Sequence, residues 1–152
     1  MNSVLSQLTW TRLPGPPTGN IRDVVVNSTG TIFLAHAGFM NDGGLYRSTN
    51  NGANFSRIFP GPGSDLKSLV LDRVNNIYYA ALGNGGVKKS TNNGLTWIEI
   101  GFILSDVNEV FCDKNGNVFA GYGATIQRTT NGGNNWELVY TAPSFISCYA
   151  QD

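Results

Sequence analysis

Two acids, Asp23 and Glu109, occupy the third position of two apolar runs that align with one another, 21–27 and 107–113. If those runs lie side by side the two carboxylates converge, and a carboxylate pair is the machinery of glycoside hydrolysis, its separation deciding between inverting and retaining chemistry. A solvated or structural role is the plainer reading of both. Asp72 and Asp113 close apolar runs just before tight turns, where Asp caps its own backbone. Glu99 and Glu137 each follow an aromatic, on stretches that read as outer strands whose charge discourages edge pairing. His36 is the sole histidine, and no Gly-x-Ser-x-Gly elbow accompanies it. A histidine-rich zinc site is excluded by count, and no metal or cofactor is expected.

The elements that position these groups come from a repeat. Ser48, Asn50, Gly52 and Phe55 recur as Ser90, Asn92, Gly94 and Trp97, then as Thr129, Asn131, Gly133 and Trp136. A period of about 40 residues marks a repeated supersecondary unit. A second register agrees with it: 21–27, 66–72 and 107–113 are apolar runs closed by Asn27, Asp72 and Asp113, each followed by a turn and a further apolar run. Each unit reads as four antiparallel strands, A to D, with the Ser/Thr-Asn-Gly box turning C into D. Val24-Val25-Val26 and Leu69-Val70-Leu71 are apolar at every position, so both faces of such sheets need cover and the sheets stack. Four-stranded sheets packed radially make a β-propeller.

The expected architecture is all-β, one repeat domain over 1–152. It comprises an orphan D strand at 9–14, blades at 20–59, 65–100 and 106–140, and an orphan A strand at 145–152. Unpaired edges are hazardous, so the expectation is either a window of a longer propeller or copies joined edge to edge as a homo-oligomer. Cys112 and Cys148 fall at the sixth and third positions of aligned strands and point to opposite faces, which predicts two buried thiols and no disulfide. Net charge is zero and charged residues are 13% of the chain, so no basic field exists for nucleic acid or an anionic membrane. No apolar run approaches the roughly 20 residues of a membrane helix, and residues 1–7 do not read as a signal peptide.

The Ser/Thr-x-Asn-x-Gly-x-x-Trp/Phe box resembles the Asp-box, or bacterial neuraminidase repeat, of sialidases, sortilin-like receptors, xyloglucan-degrading glycosidases, a photosystem assembly factor and secreted bacterial propellers. The resemblance implies that the twelve box residues are structural. Asn50, Asn92 and Asn131 stand where the family has Asp, and their carbonyl oxygens can still hold the turn. Thr11-Arg12-Leu13-Pro14 is similar to the Arg-x-Pro motif of sialidases, whose arginine clamps a substrate carboxylate, yet it also aligns with an ordinary D strand at Phe55-Ser56-Arg57-Ile58. Three blades cannot supply a sialidase's full residue set. The resemblance implies an extracellular or cell-surface setting.

Alternating strands place the D–A and B–C loops on one face, which is expected to carry function. Its candidates are His36, Phe39, Met40, Asn41 and Asp42 in the longest loop, Phe102 in another, and Arg22, Asp23, Lys67 and Glu109 near the axis. The leading expectation is a non-enzymatic scaffold binding protein or glycan there. The alternatives are a fragment of a glycosidase and a self-assembling structural subunit.

Overall fold

The computed structural model describes residues 12, 20–37, 43–59, 65–83, 85–101 and 106–144. The expected strands at 9–14 and 145–152, with Trp10 and Cys148, lie outside this set except for Arg12. The described chain is all-β, without a helix. Its first sheet (blade 1) runs β1 (Asn20–Val26), β2 (Ile32–Ala37), β3 (Gly44–Ser48) and β4 (Ser56–Phe59). The second (blade 2) runs β5 (Asp65–Asp72), β6 (Ile77–Gly83), β7 (Gly86–Ser90) and β8 (Ile98–Gly101). The third (blade 3) runs β9 (Val107–Cys112), β10 (Val118–Tyr122), β11 (Thr125–Thr129) and β12 (Glu137–Thr141). In each sheet spatial order follows chain order and all pairings are antiparallel.

Local side-chain chemistry sets the turns. Asn27, Asp72 and Asp113 end the A strands, and each side-chain oxygen accepts backbone N–H groups of the turn it precedes, for example from Asn115 and Asn117, both 2.9 Å from Asp113 Oδ1. Burial raises the pKa of Asp113, but the hydrogen bonds from Asn117 and Asn115 outweigh it and hold the carboxyl below its usual value. The box between C and D is built alike three times. The hydroxyls of Ser48, Ser90 and Thr129 each accept the N–H four residues on, at 2.9 Å, and donate to the Asn two residues on. That Asn then accepts a second N–H four residues further, so both ends of the loop are held. The loop needs two consecutive left-handed residues, Asn51-Gly52, Asn93-Gly94 and Gly132-Gly133. Gly takes the second of these positions without strain, and Asn is the side chain that best tolerates the first.

A bulge recurs in every A strand. Arg22, Lys67 and Asn108 are the extra residues, since Ile21, Leu66 and Val107 pair normally and pairing resumes two residues later. An inserted residue shifts the alternation by one. Leu66, Leu69 and Leu71 therefore share a face at spacings of three and two, as do Val107, Val110 and Cys112. The C–D pairs carry a matching irregularity at Ile58, Ile100 and Val139.

The core lies between the sheets. One apolar layer joins Phe33, Ala35 and Leu45 of blade 1 to Leu66, Leu69, Leu71 and Tyr78 of blade 2, with Ile58 and Trp97 at its margin. The next joins Tyr79, Ala81 and Val87 of blade 2 to Val107, Val110, Cys112 and Val118 of blade 3, with Ile100 and Trp136 beside it. Trp97 and Trp136 wedge between blades, and the Trp136 indole N–H donates to the Ile100 carbonyl at 2.9 Å. The outer acids Glu99 and Glu137 pair with Lys88 and Arg128 on the adjacent C strands.

Candidate functional site

Because A strands are innermost in all three sheets, β1, β5 and β9 run beside one another and enclose a cleft of about 670 Å³. Its wall carries Val24, Val26, Leu71 and Val74 together with Asp23, Ser68, Glu109, Arg73, Asp113 and Lys114. From the third position of the strands to the first turn residue is five residues, about 17 Å of extended backbone. Asp23 and Glu109 stand toward one end of this groove, Arg73 and Lys114 toward the other.

The third strand position also links the blades. Asp23 Oδ2 accepts the Leu69 backbone N–H at 3.0 Å, and Oδ1 accepts the N–H of Val24 at 2.8 Å. The Ser68 hydroxyl lies 3.3 Å from both Asp23 Oδ2 and the Val110 carbonyl, and its single proton serves one of them at a time. Arg73 donates to the Val26 carbonyl at 3.2 Å, closing a further link between blades 1 and 2. Asp23 and Glu109 thus line one cleft, but the Asp23 carboxylate is engaged by backbone donors of its own blade and the next. A carboxylate so occupied is poorly placed for proton transfer or nucleophilic attack.

Three groups among the described residues have raised pKa values. Burial, reinforced by the nearby charges of Asp72 and Asp113, pushes the Cys112 thiol up to about 12. Burial likewise raises Tyr79 to about 12, and it raises Tyr78 despite the hydrogen bond from Asn27. Among the described residues no group of three His, Cys, Asp or Glu side chains is placed to hold a metal ion.

Of the candidates read from sequence, the structure brings Asp23 and Glu109 to the cleft wall. Arg22 and Lys67 are the bulged residues just before its acidic end; Arg22 is exposed, and Lys67 pairs with Asp65 at 2.7 Å. His36 is in the core of blade 1, its ring edge-on to Tyr46 at a centroid distance of 5.5 Å, and does not line the cleft. Phe39, Met40, Asn41, Asp42 and Phe102 lie outside the described residues, as do Thr11, Leu13 and Pro14 of the arginine motif; Arg12 is exposed. Sequence reasoning missed Ser68, Arg73 and Lys114. The signal was present in the aligned repeats, where Ser68 holds the position of Asp23 and Glu109, and Arg73 and Lys114 both open the turn.

No family model matches the chain, and no curated protein does. Solved structures do, and they are β-propeller proteins. The GH74 enzyme of Niastella koreensis superposes with a TM-score of 0.63 at 14% identity over 76% of this chain and 20% of its own. The extracellular domain of the putative hybrid two-component system BT4673 of B. thetaiotaomicron gives 0.66 at 14% identity over 86% and 18%. YCF48 bound to D1 peptide gives 0.59 at 17% identity over 88% and 44%. The chain therefore spans less than half the length of each. Likeness at these identities fixes the fold, a set of propeller blades, and nothing finer.

Proposed function

We propose that this chain is a non-enzymatic recognition module and that an extended peptide lies along the cleft between β1, β5 and β9. The observation that carries this reading is the groove itself, open, about 17 Å long, with apolar walls, Asp23 and Glu109 toward one end and Arg73, Lys114 and Asp113 toward the other. None of its described lining residues is aromatic, whereas a glycan site would present rings for the sugars to stack on. The Asp23 carboxylate, one of the two acids on the cleft wall, holds backbone donors of Val24 and Leu69. The D1 peptide bound to YCF48 supports the peptide reading, and the extracellular domain of the putative hybrid two-component system BT4673 supports an extracellular or cell-surface location.

The test is selection of hexapeptides on the purified chain, followed by amide chemical-shift mapping. Binders should perturb residues 23–26, 68–71 and 109–113, and Glu109→Lys should weaken them about tenfold, or about 1.4 kcal/mol. Perturbations confined to other surfaces would defeat the proposal. A second reading, a piece of a glycoside hydrolase, draws on the GH74 neighbour. It predicts release of sugar from xyloglucan oligomers or fluorogenic sialosides by the same preparation, and the recognition reading predicts none.

A further inference from the structure

In an Asn-Gly pair the main-chain nitrogen can attack the neighbouring side-chain amide, because glycine places no Cβ in the way. Four such pairs fall among the described residues: Asn51-Gly52, Asn93-Gly94, Asn115-Gly116 and Asn131-Gly132. Three of them hold the attacking nitrogen in place. The N–H groups of Gly52 and Gly94 are buried and donate to the Ser48 and Ser90 hydroxyls, each at 2.9 Å. The Gly116 N–H donates to the Asp113 carbonyl at 3.1 Å.

The box of blade 3 is one residue out of step with the other two. Asn50-Asn51-Gly52 and Asn92-Asn93-Gly94 are matched by Asn131-Gly132-Gly133. The Thr129 hydroxyl therefore takes the N–H of Gly133, at 2.9 Å, and among the described residues no acceptor meets that of Gly132. Beside this nitrogen is the box asparagine itself, whose Oδ1 accepts the Thr129 hydroxyl and the Asn135 N–H, both at 3.0 Å. Negative charge would develop on that oxygen in a tetrahedral adduct at Cγ, and two fixed donors stabilise it as in acyl transfer. Asn50 and Asn92 are polarised in the same way, but the side chains of Asn51 and Asn93 follow them and screen the nitrogen. Lys89 adds a charge, since its ammonium donates to the Gly132 carbonyl at 2.6 Å. A cation so close favours loss of the proton from the Gly132 nitrogen. Asn131 is exposed, so water reaches it.

We infer that Asn131 is a site of spontaneous modification, deamidation through a cyclic imide. The Gly132 nitrogen gives its proton to water and bonds to Asn131 Cγ. The Cγ–Nδ2 bond breaks, and Nδ2 leaves as ammonia with a proton from solvent. Water then opens the imide. Cleavage of the new N–Cγ bond leaves aspartate, and cleavage of the bond to the main-chain carbonyl carbon leaves isoaspartate, with an extra methylene in the main chain. The loop has no slack for that methylene, because a Cβ added at Gly133 would already stand 2.5 Å from Ile100 Cδ1. Isoaspartate therefore loosens the junction of blades 2 and 3. The chemistry is independent of what the cleft binds.

Peptide mass spectrometry of the full chain, folded and in denaturant, tests it. In the folded chain the mass change of an amide becoming an acid should accumulate at Asn131 about tenfold faster than at Asn51, Asn93 or Asn115, a barrier difference of about 1.4 kcal/mol. The rate should rise with pH, and denaturant should bring the four pairs to similar rates. Gly132→Asn gives this box the sequence of the other two and should slow Asn131 by about the same factor. If that variant fails to fold, Lys89→Gln replaces it and should slow Asn131 while leaving Asn51 unchanged. Folded chain that reacts at Asn51, Asn93 or Asn115 as fast as at Asn131, or at none of them, overturns the inference. So does a preference for Asn131 that survives in denaturant.

Discussion

Replacing Gly133 by alanine is expected to destabilise the chain by about 3 kcal/mol, with two independent causes. Gly133 has φ of 93°, in the left-handed region where a Cβ meets its own backbone and costs about 1–2 kcal/mol. An alanine Cβ there would also stand 2.5 Å from Ile100 Cδ1 and 2.8 Å from Ile100 Cβ on the preceding blade. Forcing atoms into a packed junction costs about 1–3 kcal/mol. At about 2–4 °C per kcal/mol for a chain of this size, the melting temperature should fall by roughly 6–12 °C. Two other glycines separate the causes. Gly94 is left-handed, and its Cβ would approach Ile58 and Phe33 at 3.0 Å, so Gly94→Ala should cost less. Gly123 has φ of 55° and nothing within 4 Å, leaving backbone strain alone, about 1 kcal/mol. Thermal melts of the three variants should rank in that order. Equal losses would mean that the blade 3 box does not press on blade 2.

Leu69→Ala should cost a further large amount, about 2–5 kcal/mol, because a buried leucine leaves both lost burial and a cavity. Leu69 belongs to the layer between blades 1 and 2 and is almost wholly buried. Val24 holds the same position of strand A on blade 1 but is exposed, so Val24→Ala should stay within about 0.5 kcal/mol in dilute monomeric samples. The contrast isolates the junction, since residue class, strand position and bulge are shared. Denaturant titration of both variants measures it. A loss at Val24 comparable to that at Leu69 would place the stability within each sheet instead of between sheets.

The hairpins were legible in the sequence because their causes are local. Ser48, Ser90 and Thr129 with their Asn and Gly partners close the box through side-chain bonds spanning four residues, and Asn27, Asp72 and Asp113 close the A–B turns through bonds spanning four, three and four. The need for face-to-face stacking was legible from the doubly apolar A strands. The bulges were not read, although adjacent polar pairs at Arg22-Asp23, Lys67-Ser68 and Asn108-Glu109 interrupt the alternation at each one. Such an interruption equally suits a strand beginning late, and only the pairing across to strand B decides. Convergence of Asp23 and Glu109 on one groove followed from their shared position. That Asp23 would be bound by the Leu69 N–H depends on how two sheets are turned against each other, which short-range pattern does not encode. His36 illustrates the same limit: a polar residue at a strand end reads as a loop candidate, yet Tyr46 and the sheet interior enclose it.

Three sheets stacked through apolar layers around shared inner strands are the premise of the cleft and of both stability predictions. The most direct measurement is a nuclear Overhauser spectrum of the labelled chain. It should connect the Gly94 α protons to the Ile58 δ-methyl, the Gly133 α protons to the Ile100 δ-methyl, and the Trp136 indole proton to Ile100. Cross-peaks within each sheet accompanied by none of these three would contradict the stacking.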